Sequence, residues 1–209
     1  MKIYSNILIC FFLIGTLVSN AQEVSASKFK LGLHYAYDNN LSSERTETAN
    51  FEGYNNNYNQ HNFTLAISAE FLLSQNFAFV SGVNYSKKDL TSTYFCDVCT
   101  LTFTPQAQEI KFRFVELPLK GRYYFNLKKF SIYGDLGVIN QFQVADEVEF
   151  VKQRYSLSGI VGLGTQYNIS PNLSLELSLN YINGLTKIIE NADYDYRIIG
   201  FGLGIVRAF

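Results

Sequence analysis

Cys96 and Cys99, two residues apart in Cys96-Asp97-Val98-Cys99, form the most specific reactive motif in this chain. A redox C-x-x-C opens a helix in a thioredoxin-like fold. A zinc site needs two further ligands, and no histidine lies nearby in sequence. The motif falls in a polar connection of an exported chain, which favours a small disulfide ring at a loop tip. Metal and redox roles are the alternatives. His34 and His61 are the only histidines. A hydrolytic site needs a histidine beside a serine and a carboxylate. Ser42, Ser43 and Glu44 lie in the connection between them, but their spacing defines no triad. No catalytic, cofactor-binding or metal-binding residue is assigned. Gly159-x-x-Gly162-x-Gly164 and Gly200-x-Gly202-x-Gly204 have phosphate-loop spacing. A nucleotide fingerprint requires strand–turn–helix context, and these glycines sit inside alternating runs.

A different chemistry is carried by Glu70, Glu116, Lys120, Arg122, Asp135 and Glu176. All share sequence parity with Ser, Gly, Asn and Gln neighbours, so each falls on the polar face of its segment. Confined together, such groups must pair, because an isolated buried charge is costly. They are expected to form a charge network filling a barrel lumen, with Glu116 paired to Lys120 or Arg122.

The elements that position these residues follow from strict alternation of apolar and polar residues, the signal of a half-buried strand. Leu173, Leu175, Leu177, Leu179 and Tyr181 alternate with Ser174, Glu176, Ser178 and Asn180. The same rule predicts eight strands over 28–38, 61–73, 77–88, 110–125, 130–143, 154–168, 173–183 and 196–208. Their lengths suit tilted membrane strands. The 18 Phe and 15 Tyr, with no Trp, favour strands as well. Connections alternate between short ones, such as 74–76 and 169–172, and long polar ones at 39–60, 89–109, 144–153 and 184–195. Outer-membrane barrels pair short periplasmic turns with long external loops. The fold expected is an all-β, eight-stranded antiparallel up-and-down transmembrane barrel. Tyr35, Tyr37, Tyr85, Tyr123, Tyr155, Tyr167 and Tyr181 lie near strand ends, where an aromatic girdle belongs. An even strand count puts both termini on the periplasmic side.

Residues 1–21 have the parts of a secretory signal: Lys2, an apolar run from Ile7 to Val18, and Ser19-Asn20-Ala21 as a cleavage site. Residues 22–209 then form the barrel domain. A net charge of -1 with no polybasic cluster argues against nucleic acid as a partner.

Phe114-Val115-Glu116-Leu117-Pro118-Leu119-Lys120 resembles a strand of the PorT-like outer-membrane β-barrels of Bacteroidota. Asn20-Ala21-Gln22 is similar to their cleavage context. Leu173–Tyr181 with Gly184-Leu185-Thr186 resembles their penultimate strand, and Gly202-Leu203-Gly204 through Phe209 their C-terminal assembly signal. Val115 and Arg207 depart from the pattern. The resemblance implies an integral outer-membrane barrel of a Gram-negative bacterium. Some members serve type IX secretion and gliding machinery. The expected role is non-enzymatic, as a membrane anchor or subunit of an envelope complex acting through extracellular loops, with outer-membrane lipids and an envelope protein as partners. The alternatives are a lipid-modifying enzyme using His34 or His61, and a small pore or ligand conduit.

Overall fold

The computed structural model describes residues 29–41, 44–47, 52–57, 61–96, 106–127, 129–144, 154–186 and 197–209. The expected signal segment, Ser42, Ser43 and Cys99 lie outside these residues. The strands in chain order are β1 (Phe29–Asn40), β2 (Glu44–Glu47), β3 (Glu52–Asn57), β4 (Asn62–Leu72), β5 (Phe77–Lys87), β6 (Leu90–Cys96), β7 (Gln108–Ile110), β8 (Arg113–Leu127), β9 (Phe130–Gln143), β10 (Tyr155–Ser170), β11 (Leu173–Gly184) and β12 (Arg197–Ala208).

β1, β4, β5, β8, β9, β10, β11 and β12 form a closed antiparallel barrel, each beside its neighbour in the chain, and β1 closes the wall against β12. These are the eight expected strands, displaced at their ends by no more than a few residues. Among the described residues no helix is long and apolar enough to cross a membrane. The two ends are named here by what lies there: the terminal end holds Phe29 and Phe209, and the loop end holds the long connections.

The barrel is inside out relative to a soluble one. Leu33, Ile67, Leu136, Leu163 and Leu203 are each more than 60% exposed on the outer wall, while Glu70, Arg122, Asp135 and Glu176 are no more than 4% exposed inside. A period of two makes this a strict sorting. In hydrocarbon, a closed ladder satisfies every backbone group while apolar side chains face the lipid. Aromatic contacts lie at both ends. Phe29 packs on Phe71 and Phe209, and Phe130 on Tyr167, at the terminal end. Tyr35 and Tyr85 flank Phe63, and Phe142 meets Tyr155, at the loop end.

Two of the long connections, 39–60 and 89–109, are not plain solvated loops as their polar composition suggests. They carry β2, β3, β6 and β7, which pair antiparallel in the order β2-β3-β6-β7. A two-stranded hairpin is marginal alone in water, and pairing across two connections supplies the extra strands. Thr91, Thr93, Tyr94 and Phe95 provide the β-branched and aromatic residues that suit the role.

The wall has one irregular seam. β5 pairs with β8 from Phe77↔Tyr123 to Ser81↔Leu119 and again from Asn84↔Glu116 to Lys87↔Arg113. Gly82 and Val83, opposite Pro118 and Leu117, are skipped. Proline has no N–H to give the ladder. Pro118 keeps its register with Ile139 of β9, so the gap falls on the β5 side. There the Ser81 hydroxyl donates to the Pro118 carbonyl at 3.0 Å.

Candidate functional site

Arg122 is the centre of the lower lumen. Arg122 and Asp135 are cross-strand partners on β8 and β9, which brings their side chains together on the inner face. Nε donates to Asp135 Oδ1 at 2.7 Å and Nη2 to Oδ2 at 2.9 Å, a two-pronged pairing. Nη1 reaches across the lumen to Glu176 Oε2 at 3.0 Å and Glu70 Oε2 at 3.4 Å. The guanidinium lies 3.7 Å from the centre of the Tyr133 ring. Lys120 adds a bond to Asp135 at 3.1 Å. Lys30, directly opposite Glu70 in the β1–β4 register, pairs with it at 2.9 Å. The Tyr124 hydroxyl donates to Glu70 and the Tyr133 hydroxyl to Glu176, at 2.7 and 2.6 Å. Lys30, Lys120 and Arg122 thus balance Glu70, Asp135 and Glu176.

Glycines make room for this filling. A Cβ on Gly164 would sit 2.2 Å from the Tyr133 ring, and one on Gly204 would sit 2.2 Å from His34 Nδ1. Gly200, Gly202 and Gly204 all face the lumen.

Glu116 stands apart, and here the expected pairing with Lys120 or Arg122 is corrected. Its Oε1 accepts from Ser86 Oγ at 2.6 Å and Gln141 Nε2 at 3.0 Å, and its Oε2 from Asn84 Nδ2 at 3.3 Å. Among the described residues no cation pairs with it. The reason is strand rise: at roughly 3.3 Å per residue, positions 116 and 120 share a face but lie about 13 Å apart. Lys120 turns to Asp135 instead.

The loop end of the lumen is closed differently. Leu90, Phe112, Phe114, Ile139, Ile160, Ile182 and Ile198 form a buried aliphatic and aromatic layer. Ion pairs join it: Lys88 with Asp38, Arg113 with Asp89, and Lys87 with Asp89. Asn62 ties down Asp89 through both its backbone N–H and its carbonyl. Between the two closures lies a cavity of about 90 Å³.

The family model for the outer membrane protein beta-barrel domain matches residues 8–206. The chain belongs to that family. Among solved structures, Neisserial surface protein A matches with a TM-score of 0.55 and 15% identity, over 89% of this chain and 100% of that one. OprG, an outer membrane protein of Pseudomonas aeruginosa, matches with a TM-score of 0.55 and 10% identity, over 91% of this chain and 100% of that one. At such identities the likeness is one of fold. No curated protein matches the sequence.

In this outer-membrane barrel, one histidine lines the lumen cavity and the other stands at the start of β4. His34 Nε2 lies 2.7 Å from Ser68 Oγ, a partner that sequence spacing did not reveal. Its Nδ1 is 3.8 Å from Glu176, too far for the hydrogen bond that orients a catalytic base. Glu176 is already held by Arg122 and Tyr133. His61 is exposed at the start of β4. Cys96 ends β6 and is disulfide-bonded; its expected partner, Cys99, lies outside the described residues.

Sequence parity found the lower-lumen carboxylates, Lys120 and Arg122. It missed Lys30, Asp38, Lys88 and Asp89. Lys30 falls on the polar face of β1, but parity alone gives no register to pair it with Glu70. Lys88, Asp89 and Leu90 are consecutive and all buried, which breaks the alternation that parity depends on.

Proposed function

We propose that this protein is a non-enzymatic outer-membrane barrel that serves as the anchor or subunit of an envelope complex, and that it engages its partner through the sheet at its loop end. The observation that carries this reading is the contrast between a filled lumen and a built surface above it. An ionic layer and an aliphatic layer close the lumen in series, which opposes axial conduction. The paired β2, β3, β6 and β7 instead present Tyr54, 52% exposed and packed edge-on to Tyr94 at 5.7 Å, beside the exposed Asn55 and Asn57. Tyr, Asn, Ser and Thr are the residues of adaptable recognition surfaces, since tyrosine gives large contact area at small entropic cost.

In this reading both termini face the periplasm and the sheet faces outward. The resemblance to PorT-like barrels makes a secretion-linked assembly the natural setting, on analogy of fold.

The test is affinity capture of the tagged protein from gently solubilised outer membranes. A stoichiometric partner is expected, and it should be lost from a Tyr54→Ala, Tyr94→Ala double variant that still inserts as a folded barrel. Recovery of the barrel alone under every mild condition would sink the proposal.

A further inference from the structure

We infer that the lumen cavity is a binding site for an ammonium group, seated on Glu116 and reached sideways through the β5–β8 seam. The inference is independent of the loop-end sheet.

The first observation is a carboxylate without a counter-charge. Glu70, Asp135 and Glu176 share Lys30, Lys120 and Arg122; Asp38 has Lys88; Asp89 has Arg113 and Lys87. Glu116 is 1% exposed and, among the described residues, is held by neutral donors. Two short bonds occupy Oε1, whereas Oε2 has only the longer bond from Asn84, so it retains acceptor capacity. Taking a charge out of water calls for a partner of opposite sign.

The second is the space beside it. Glu116 lines the cavity together with Asn84, Asn180 and aliphatic side chains such as Ile139, and Lys120 and Arg122 line it as well, each paired with Asp135. A carboxylate with acceptor capacity to spare and the Asn84 amide beside it suit a small monovalent cation with hydrogen-bond donors. Calcium takes six to eight oxygen ligands and magnesium prefers a strict octahedron of oxygens, and the other carboxylates on this lining, Asp38, Asp135 and Glu176, are already paired with Lys88, Lys120 and Arg122.

The third is access. Both ends of the lumen are closed, but the same cavity is lined by Pro118 and by Ser81. Ser81 belongs to the outer-face set of β5, between the lipid-facing Phe79 and Val83. The lining therefore includes a residue of the wall beside the stretch where the ladder skips Gly82 and Val83. Asn84↔Glu116 is the first pair above that gap. A ligand entering there puts its ammonium on Glu116. The group can come from a small amine in water or from the head of an alkylamine whose tail stays in the bilayer against Val83 and Leu117.

The full-length protein in lipid nanodiscs is titrated with methylammonium and, separately, with dodecylamine. The readout is the Glu116 carboxylate signal in infrared or carbon-13 NMR spectra, assigned by its disappearance in Glu116→Gln. A saturable change in that signal, absent from a folded Glu116→Gln barrel, is the expected result. Entry through the wall further requires dodecylamine to bind several-fold more slowly in Pro118→Ala, which restores an N–H to the ladder, or in Val83→Phe, which covers the seam without changing a backbone group. Saturation by methylammonium alone, at a rate neither seam variant alters, overturns the wall route and leaves a water-borne cation site. No saturable change with either amine overturns the site itself.

Discussion

The two ends of the lumen are closed by opposite chemistries. At the terminal end, Arg122 holds three carboxylates while two lysines and two tyrosines complete the pairing. At the loop end, the closure is chiefly Leu90, Phe112, Phe114 and four isoleucines. Both fill an eight-stranded barrel, whose interior is just wide enough for side chains. They differ in how they fail. An aliphatic layer loses contacts in proportion to the atoms removed. An ionic layer is coupled: withdrawing one member leaves the others buried without a partner.

The sharpest break of that contrast is Arg122→Met. It fills similar volume but strands Asp135, Glu176 and Glu70 together. The expected loss is about 4 kcal/mol of folding stability, the scale of a broken buried ion pair. Urea unfolding in lipid, followed by the mobility of the folded barrel on unheated gels, measures it. A loss of less than about 1 kcal/mol would mean that water or a neighbouring side chain replaces the guanidinium, and the coupled view of this layer would fail.

Lys120→Met tests the same layer at its edge. Asp135 keeps both Arg122 bonds when Lys120 goes. The expected cost is therefore that of one charge-assisted hydrogen bond, about 1.5 kcal/mol. In the double variant with Arg122→Met the two costs should not add, since they share Asp135. Additive costs would show that the two cations act independently.

Ile139→Val probes the other closure. It removes one methylene from a side chain that is 1% exposed, with an expected cost of about 1 kcal/mol. No residue elsewhere in the layer depends on that atom for charge balance, so this cost should add to that of an equivalent change at Ile182. A strongly non-additive result would erase the distinction between the two ends.

The same contrast explains what was legible in the sequence. Lipid outside and a packed polar lumen inside impose a choice at every second residue, so the eight strands and the inward Glu70, Arg122, Asp135 and Glu176 could be read from parity. Pairing could not. Lys30 meets Glu70 because β1 and β4 align across a connection of about twenty residues, and no local pattern encodes that register. Glu116 and Lys120 look like neighbours along the chain, but an extended backbone separates them. The loop-end sheet was hidden for a third reason: Asn- and Tyr-rich segments look like solvated loop until two distant connections pair.

The smallest expected effect lies at the boundary between the two halves, where Pro118 interrupts the wall. Pro118→Ala restores a backbone N–H facing Gly82. That hydrogen bond contributes about 1 kcal/mol. Losing proline also frees the unfolded chain, which costs between about 0.4 and 1 kcal/mol. The two terms oppose each other, so unfolding stability should move by less than about 0.5 kcal/mol. Amide exchange should still respond, because it reports local opening rather than global unfolding. Protection at Gly82 and Val83 is expected to rise in the variant, while amides of the Arg122 layer and of the Ile139 layer stay as they were. If protection along the seam did not change, the skipped pairs would have to be explained by strand curvature instead of the missing donor. The wall between the two closures would then be as tight as the rest of the barrel.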